Sequence, residues 1–242
     1  MSRTERSAHR SPGGRPRNPQ IDQAVLDATL ELLDERGYAD LSIEEITRRA
    51  GTTRPTVYRR WAGRPELVLA AIATRLAVPA PPDTGCTLCD IGESFDVFLA
   101  AYRTLRPEVL SALYVDCVTD PALRDLYLAT IIEPARRSVG QTLARASDRG
   151  DLRPDADLEQ LLDLVASFVH YRALFAREHL TDEEAWNAIE LLMRGAAADY
   201  DELLAHSEAL EAQHAGGNHI RLELHDEHVP TGPANGGVGL SS

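Results

Sequence analysis

Within 41–67 the chain carries six arginines, Arg48, Arg49, Arg54, Arg59, Arg60 and Arg64, interleaved with Thr52, Thr53, Thr56 and Tyr58, and no acid stands between Glu45 and Glu66. A guanidinium is a planar fork of donors that matches a phosphate or the edge of a guanine, and a threonine methyl can rest on the methyl of thymine. The chain has no Lys, so every basic contact must be such a fork. Residues 1–66 hold 12 Arg against 10 Asp and Glu, a balance of +2, whereas 67–242 hold 13 Arg against 28 acids, a balance of −15. A confined basic segment on an acidic chain is the footprint of a local nucleic-acid contact. The acidic remainder is repelled by phosphates, which excludes indiscriminate coating of nucleic acid.

The elements around that segment decide which arginines can reach outward. Residues 1–17, rich in Ser, Arg, Gly and Pro, are predicted to be a disordered basic arm. Asn18 and Pro19 open a first helix, Ile21, Val25, Ala28 and Leu32 give it one apolar face, and Gly37 ends it with a left-handed cap. Ser42-x-x-Glu45 is a capping box for a second helix, with Leu41 and Ile46 as its hydrophobic staple, and Gly51 closes it. Thr53 is placed to cap a third helix, where Pro55 lacks only an N–H that would be unpaired anyway. Val57 and Trp61 turn inward; Gly63 and Arg64-Pro65-Glu66 start a fourth helix that runs to about 78. This is a helix-turn-helix. Thr52, Thr53, Arg54, Pro55 and Thr56 lie at the leading end of the reading helix, where base edges are met. Tyr58, Arg59 and Arg60 are placed for phosphates, and Arg64 for a phosphate at the start of the next helix. Ser42 joins this DNA-binding set, and Arg15 and Arg17 are candidates for a minor-groove arm.

The remainder reads as helix after a loop over 79–89, with no convincing strand. Helices are predicted over 91–105, 107–118, 121–132, 134–149, 156–179 and 182–205, started by Asp120-Pro121 and Thr181-x-x-Glu184 and stopped by Gly150; Pro134 should break or kink a longer helix. The fold class is all-α: a basic arm over 1–17, a helix-turn-helix domain over 18–78, a helical effector-binding and dimerisation domain over 79–206, and a disordered tail over 207–242. The longest apolar stretch, 161–176, is too short and too polar to span a bilayer, and the N-terminus has no apolar signal core.

Aromatics spread over these helices, Phe98, Tyr102, Tyr114, Tyr127, Phe168, Tyr171 and Phe175, are candidates for an interior ligand pocket, each competing with a plain core role. His170 or Arg172 could anchor a polar ligand, and the acidic balance favours a neutral or cationic one. The last two long helices are apolar on more than one face, which suggests a core plus a partner. Leu161, Val165 and Val169 on one, with Ile189, Met193, Ala196, Ala197 and Tyr200 on the other, are the candidate dimer interface. Three cysteines are too few for a disulfide framework and fit a reducing cytoplasm. Cys86-x-x-Cys89 offers a thiol sensor or half a metal site, or simply two loop thiols. His214, His219, His225 and His228 lack ligand spacing, and Asp155, Asp157, Glu159 and Asp163 suit a helix N-terminus rather than an acid/base pair. No Gly-rich phosphate loop, metal-spaced set or nucleophile motif gives footing for an enzyme or a cofactor.

Residues 14–78 resemble the N-terminal domain of the TetR (tetracycline-repressor-like) family of transcriptional regulators. The resemblance is carried by Gly14-Arg15-Pro16-Arg17, Leu41-Ser42-Ile43-x-x-Ile46, Ala50-Gly51 and Thr56-x-Tyr58-x-x-Trp61. The family usually has Phe and then Lys where this chain has Trp61 and Arg64. Residues 134–157, His170-Tyr171-Arg172 and Leu191-Leu192-Met193-Arg194-Gly195 resemble the ligand-binding domain of one branch, so the likeness spans about 14–198. It implies a homodimer on a palindromic operator of double-stranded DNA, its reading helices ~34–36 Å apart. It further implies repression relieved by a small-molecule effector, in a cytoplasmic protein with no membrane partner. The alternatives are an α-helical small-molecule-binding protein, or an adaptor, whose basic segment is incidental.

Overall fold

In the computed structural model, residues 18–175 and 181–214 are described, and among them the secondary structure is helical apart from one isolated bridge. The first four helices start where their caps predict: α1 (Pro19–Arg36), α2 (Ile43–Arg49), α3 (Arg54–Tyr58) and α4 (Arg64–Arg75). Asn18 accepts from the Gln20 amide and Ser42 from the Glu45 amide, so each satisfies an amide that its helix leaves unpaired. Gly37 ends α1 at φ 77°, ψ −177°, which lies outside the left-handed cap expected and is open essentially to Gly alone. Gly51, at φ 63°, makes the turn into α3. Helix α4 stops at Arg75, short of 78, and the chain is extended at Leu76, three residues before Pro79.

The body comprises α5 (Thr87–Thr104), α6 (Pro107–Val118), α7 (Pro121–Tyr127), α8 (Glu133–Asp148), α9 (Leu158–Phe175), α10 (Asp182–Ala196) and α11 (Tyr200–His214). Helix α5 begins four residues before the expected 91, since Cys86 acts as its N-cap. A π-helical turn, Leu128–Ile132, joins α7 to α8. It answers the problem set by Pro134, which has no N–H and whose ring would crowd the carbonyl four residues back. The Glu133 amide bonds to Leu128 O, five residues back, and the rod continues instead of breaking.

The single helix expected over 182–205 is two helices. Between them Arg153 N bonds to Ala196 O (2.9 Å) and Ala198 N to Asp151 O (2.9 Å), a short antiparallel clasp on the loop after α8. Asp199 then caps α11 at the Glu202 amide (3.1 Å). Helix α11 runs to His214, so the tail expected from 207 begins as helix, with Ser207 buried. His219, His225, His228, the arm with Arg15 and Arg17, and 176–179 of the predicted ninth helix lie outside the described residues. No helix among the described residues is long and apolar enough to cross a membrane.

Two apolar cores organise these helices, and they do not divide at residue 78. One joins α5 with α8, α9, α10 and α11. The other joins α1–α4 with Ala101 and Leu105 at the end of α5, with α6, with Tyr127 and with Ile131 of the π turn. The helix-turn-helix therefore shares its core with α6 and α7.

Candidate nucleic-acid interface and interior cavity

The turn from α2 into α3 forms the outward end of the first four helices. Val57 is fully buried and Trp61 packs beside it, which fixes the rotation of α3 and leaves the other side of the helix in water. Thr53, Arg54, Pro55, Tyr58 and Arg59 are exposed, Tyr58 by 52%, and Thr52 and Thr56 are half-buried next to them. Thr53 makes no side-chain cap, contrary to expectation; its Oγ1 lies 3.0 Å from Thr56 Oγ1. Arg54 is ion-paired across the turn with Glu44 on α2, with both side chains largely exposed. Such a surface pair is weak and exchanges readily for a stronger acceptor. Ser42 is exposed, its oxygen taken by the Glu45 amide at 3.2 Å. The second half of that box is absent from the described contacts, for Glu45 instead holds Arg36 (2.5 Å) and Arg48 (3.0 Å).

The six arginines do not act alike. Arg60 and Arg64, expected at phosphates, are turned inward. The Arg60 side chain is 9% exposed, ion-paired with Asp22 of α1 and bonded to Thr56 O at 3.0 Å, so it braces α3 against α1. Arg64 donates to Asp116 Oδ2 of α6 (2.8 Å) and to Leu41 O (3.2 Å), and lies 4.3 Å from the centroid of the Tyr38 ring. Tyr38 donates to the same Asp116 oxygen at 2.7 Å. The bond from Tyr38, then that from Arg64, holds the Asp116 carboxyl below its ordinary value, while burial followed by the Asp116 bond pushes the Tyr38 phenol up. Arg49 forks onto Glu35 of α1 (2.5 and 2.9 Å). Sequence spacing gave no warning of these partners, which lie on other helices. Arg48, 71% exposed on the last turn of α2, is a further outward cation, outside the residues expected at DNA.

Inside the body, Phe98, Tyr102 and His170 meet beside Leu76 and Ile131 around a cavity of about 10 Å³. That is room for one water at most. His170 Nδ1 is 2.7 Å from Ala166 O, so the proton sits on Nδ1 and Nε2 is left as an acceptor. Burial, only partly offset by that bond, lowers the imidazole pKa and keeps it neutral. Its ring edges onto Phe98 (5.9 Å) and Tyr102 (5.6 Å), and burial pushes the Tyr102 phenol up to about 12.

The other expected lining residues lie elsewhere. Tyr127 is buried in the core that α1–α4 share with α6, against the exposed Tyr114 (5.2 Å), Phe168 packs on Phe95, and Tyr171 and Phe175 are in solvent. The expected dimer residues are also displaced. Leu161, Val165, Val169, Ile189, Met193, Ala197 and Tyr200 are buried within this chain, and Ala196 packs at the edge of the same core. The exposed large apolar residues described on these helices are instead Leu164, Tyr171, Leu174 and Phe175 of α9 and Leu191 of α10. Cys86 and Cys89 are at a helix start rather than in a loop, and are bonded to each other.

Comparison with known proteins agrees with this layout. Residues 25–71 match the family model of bacterial regulatory proteins of the tetR family, and 81–192 match that of the tetracyclin repressor-like C-terminal domain. The HTH-type transcriptional regulator YdeS of Bacillus subtilis (strain 168) is 26% identical over 76% of this chain and 94% of its own. The DNA-binding transcriptional repressor TetR of Mycobacteroides abscessus is 25% identical over 62% of this chain and 80% of its own. Among solved structures, the TetR family transcription regulator SCO0332 superposes with a TM-score of 0.57 at 28% identity, covering 73% of this chain and 98% of that one.

Proposed function

We propose that this chain, which belongs to the TetR family of bacterial regulatory proteins and is a helix-turn-helix transcriptional regulator that binds DNA, works as a homodimeric repressor released from a palindromic operator by a small apolar effector. The observation that carries the reading is the division of the basic segment. Thr52, Thr53, Arg54, Pro55 and Thr56 are presented together at one end of α3, and Tyr58, Arg59 and Arg48 flank them. Arg54 leaves Glu44 for a guanine edge, the threonine methyls test for thymine, and Tyr58, Arg59, Arg48 and Ser42 hold phosphates. Arg60 and Arg64 fix the angle at which α3 is offered.

A second copy covers the row Leu164, Tyr171 and Phe175 on α9 together with Leu191 on α10, which this chain leaves in water. The two helices adjoin where Arg172 of α9 pairs with Glu184 of α10 (2.7 Å).

The effector enters between α5, α9 and the π turn, at Phe98, Tyr102 and His170. A cavity of about 10 Å³ is far below what a ligand fills, so the occupied state is an opened one. A flat, neutral molecule with one donor for His170 Nε2 suits the lining. Because Leu76, just after α4, is part of that lining, opening the cavity displaces α4 and with it the reading helix. A ligand that binds the opened state better shifts the population away from the DNA-competent one.

Selection of bound DNA from a random pool tests the reading. A two-fold symmetric site should emerge, bound with an affinity that falls steeply with salt. Enrichment of no sequence, or binding that is weak and indifferent to Arg54→Ala, would sink it.

A further inference from the structure

The start of α5 carries a second kind of chemistry, unrelated to DNA. Cys86 is the N-cap of the helix and is buried, and the Cys89 amide points at its sulfur at 3.2 Å. Cys89, one turn on, is half-buried, with its sulfur 3.6 Å from Ser207 Oγ on α11. Their Cα atoms are 5.2 Å apart, within the range a disulfide needs, and the two sulfurs are bonded. Cys117 is buried in the other core and takes no part.

The segment that ends at Cys86 connects α4 to the body and is tied down along α8. Pro79 O accepts from Ser138 (3.0 Å), and Pro82 O accepts from Thr142 (3.0 Å) and Arg145 (2.6 Å). Thr84 donates its amide and hydroxyl to the buried Asp90 (both 2.7 Å). An open cleft of about 540 Å³ reaches Gly85 and Thr87 on either side of Cys86.

We infer that Cys86 and Cys89 form a reversible dithiol/disulfide site that exchanges with small thiols and disulfides. In oxidation the Cys89 thiolate, the more accessible of the two, attacks a small disulfide RSSR, giving Cys89–S–SR and RS⁻. The Cys86 thiolate then attacks the Cys89 sulfur and expels the second RS⁻. Two protons leave the cysteines, two small thiols are formed, and no other oxidant is needed. Reduction runs the same steps backward. An incoming thiolate attacks the Cys89 sulfur, and Cys86 departs as a thiolate stabilised by the Cys89 amide and the helix N-terminus. Cap geometry thus gives the buried cysteine the role of leaving group and the half-exposed one the role of entry point. Closing the bond locks the end of the α4–α5 connection to the first turn of α5.

The test is equilibration of the intact chain in glutathione buffers from fully reduced to fully oxidised, followed by quenching with an alkylating agent and mass analysis. The Cys86–Cys89 disulfide, which takes no label where the dithiol is alkylated, should rise from near none to near all and revert with excess thiol. Cys117 should take label only after denaturation. In Cys86→Ser, where Ser keeps the cap, Cys89 should accumulate the glutathione mixed disulfide. In Cys89→Ser, Cys86 should stay unmodified while the chain is folded. Alkylation of both cysteines at every ratio would overturn the inference, as would a stable adduct on Cys89 in the unmutated chain or an inert Cys89 in Cys86→Ser.

Discussion

Arg54 at the tip of the helix-turn-helix and Arg64 at its root are the same residue type ten positions apart, yet their surroundings assign them opposite work. Arg54 has one exposed carboxylate for a partner and water on the other sides. Arg64 has a carboxylate, a backbone carbonyl and an aromatic face, drawn from α6 and from the loop between α1 and α2. A cation held by one surface pair is available to a phosphate or a base; one held by several groups is part of the frame. The comparison teaches that a basic patch must be sorted by partners before it is read as a footprint.

Breaking the tip should cost DNA binding and nothing else. Arg54→Ala is expected to lose about 1–3 kcal/mol per half-site against its own operator, hence up to several orders of magnitude for a dimer, while the urea midpoint is unchanged. Breaking the root should instead act first on stability. Arg60→Ala leaves Asp22 without its cation and is expected to cost about 2 kcal/mol of stability in urea unfolding, with the base preference of the selected operator unaltered.

Asp116→Asn sharpens the contrast from the side of α6. It keeps an acceptor for Tyr38 but removes the charge opposite Arg64, for a loss of about 1 kcal/mol at neutral pH. Because the folded chain holds the Asp116 carboxyl below 3.8, this stabilisation is complete above that pH and is lost as pH falls through the folded value. The difference between the two chains should therefore vanish in acid. The smallest effect is expected at His170. Its folded pKa lies below 6.5, so its neutral form stabilises fully above that pH and the contribution declines as pH drops below it. A modest fall in Tm from neutral to mildly acidic pH should be absent in His170→Gln.

The parts of the fold set by local chemistry were legible. Asn18, Ser42, Asp120 and Thr181 mark helix starts that the structure contains, and the helix over Pro107–Val118 has the bounds predicted. What escaped depends on groups distant in sequence. The break between α10 and α11 rests on the clasp with Asp151 and Arg153. The early start of α5 rests on a cysteine cap, which is not a usual signal. The inward turn of Arg60 and Arg64 required Asp22 and Asp116, which spacing cannot bring together. The apolar stripes of α9 and α10 were visible, but periodicity does not say which stripe meets the chain's own core. Leu161 and Val165 proved to be that core, whereas Leu164, Tyr171 and Phe175 are left exposed.

The division between tip and root is tested most directly by the salt dependence of operator binding, from ~50 to ~200 mM, for Arg59→Ala beside Arg60→Ala. The account predicts that Arg59→Ala flattens the slope of log affinity against log salt by roughly one per half-site, while Arg60→Ala leaves the slope unchanged. A flattened slope in Arg60→Ala with none in Arg59→Ala would contradict it.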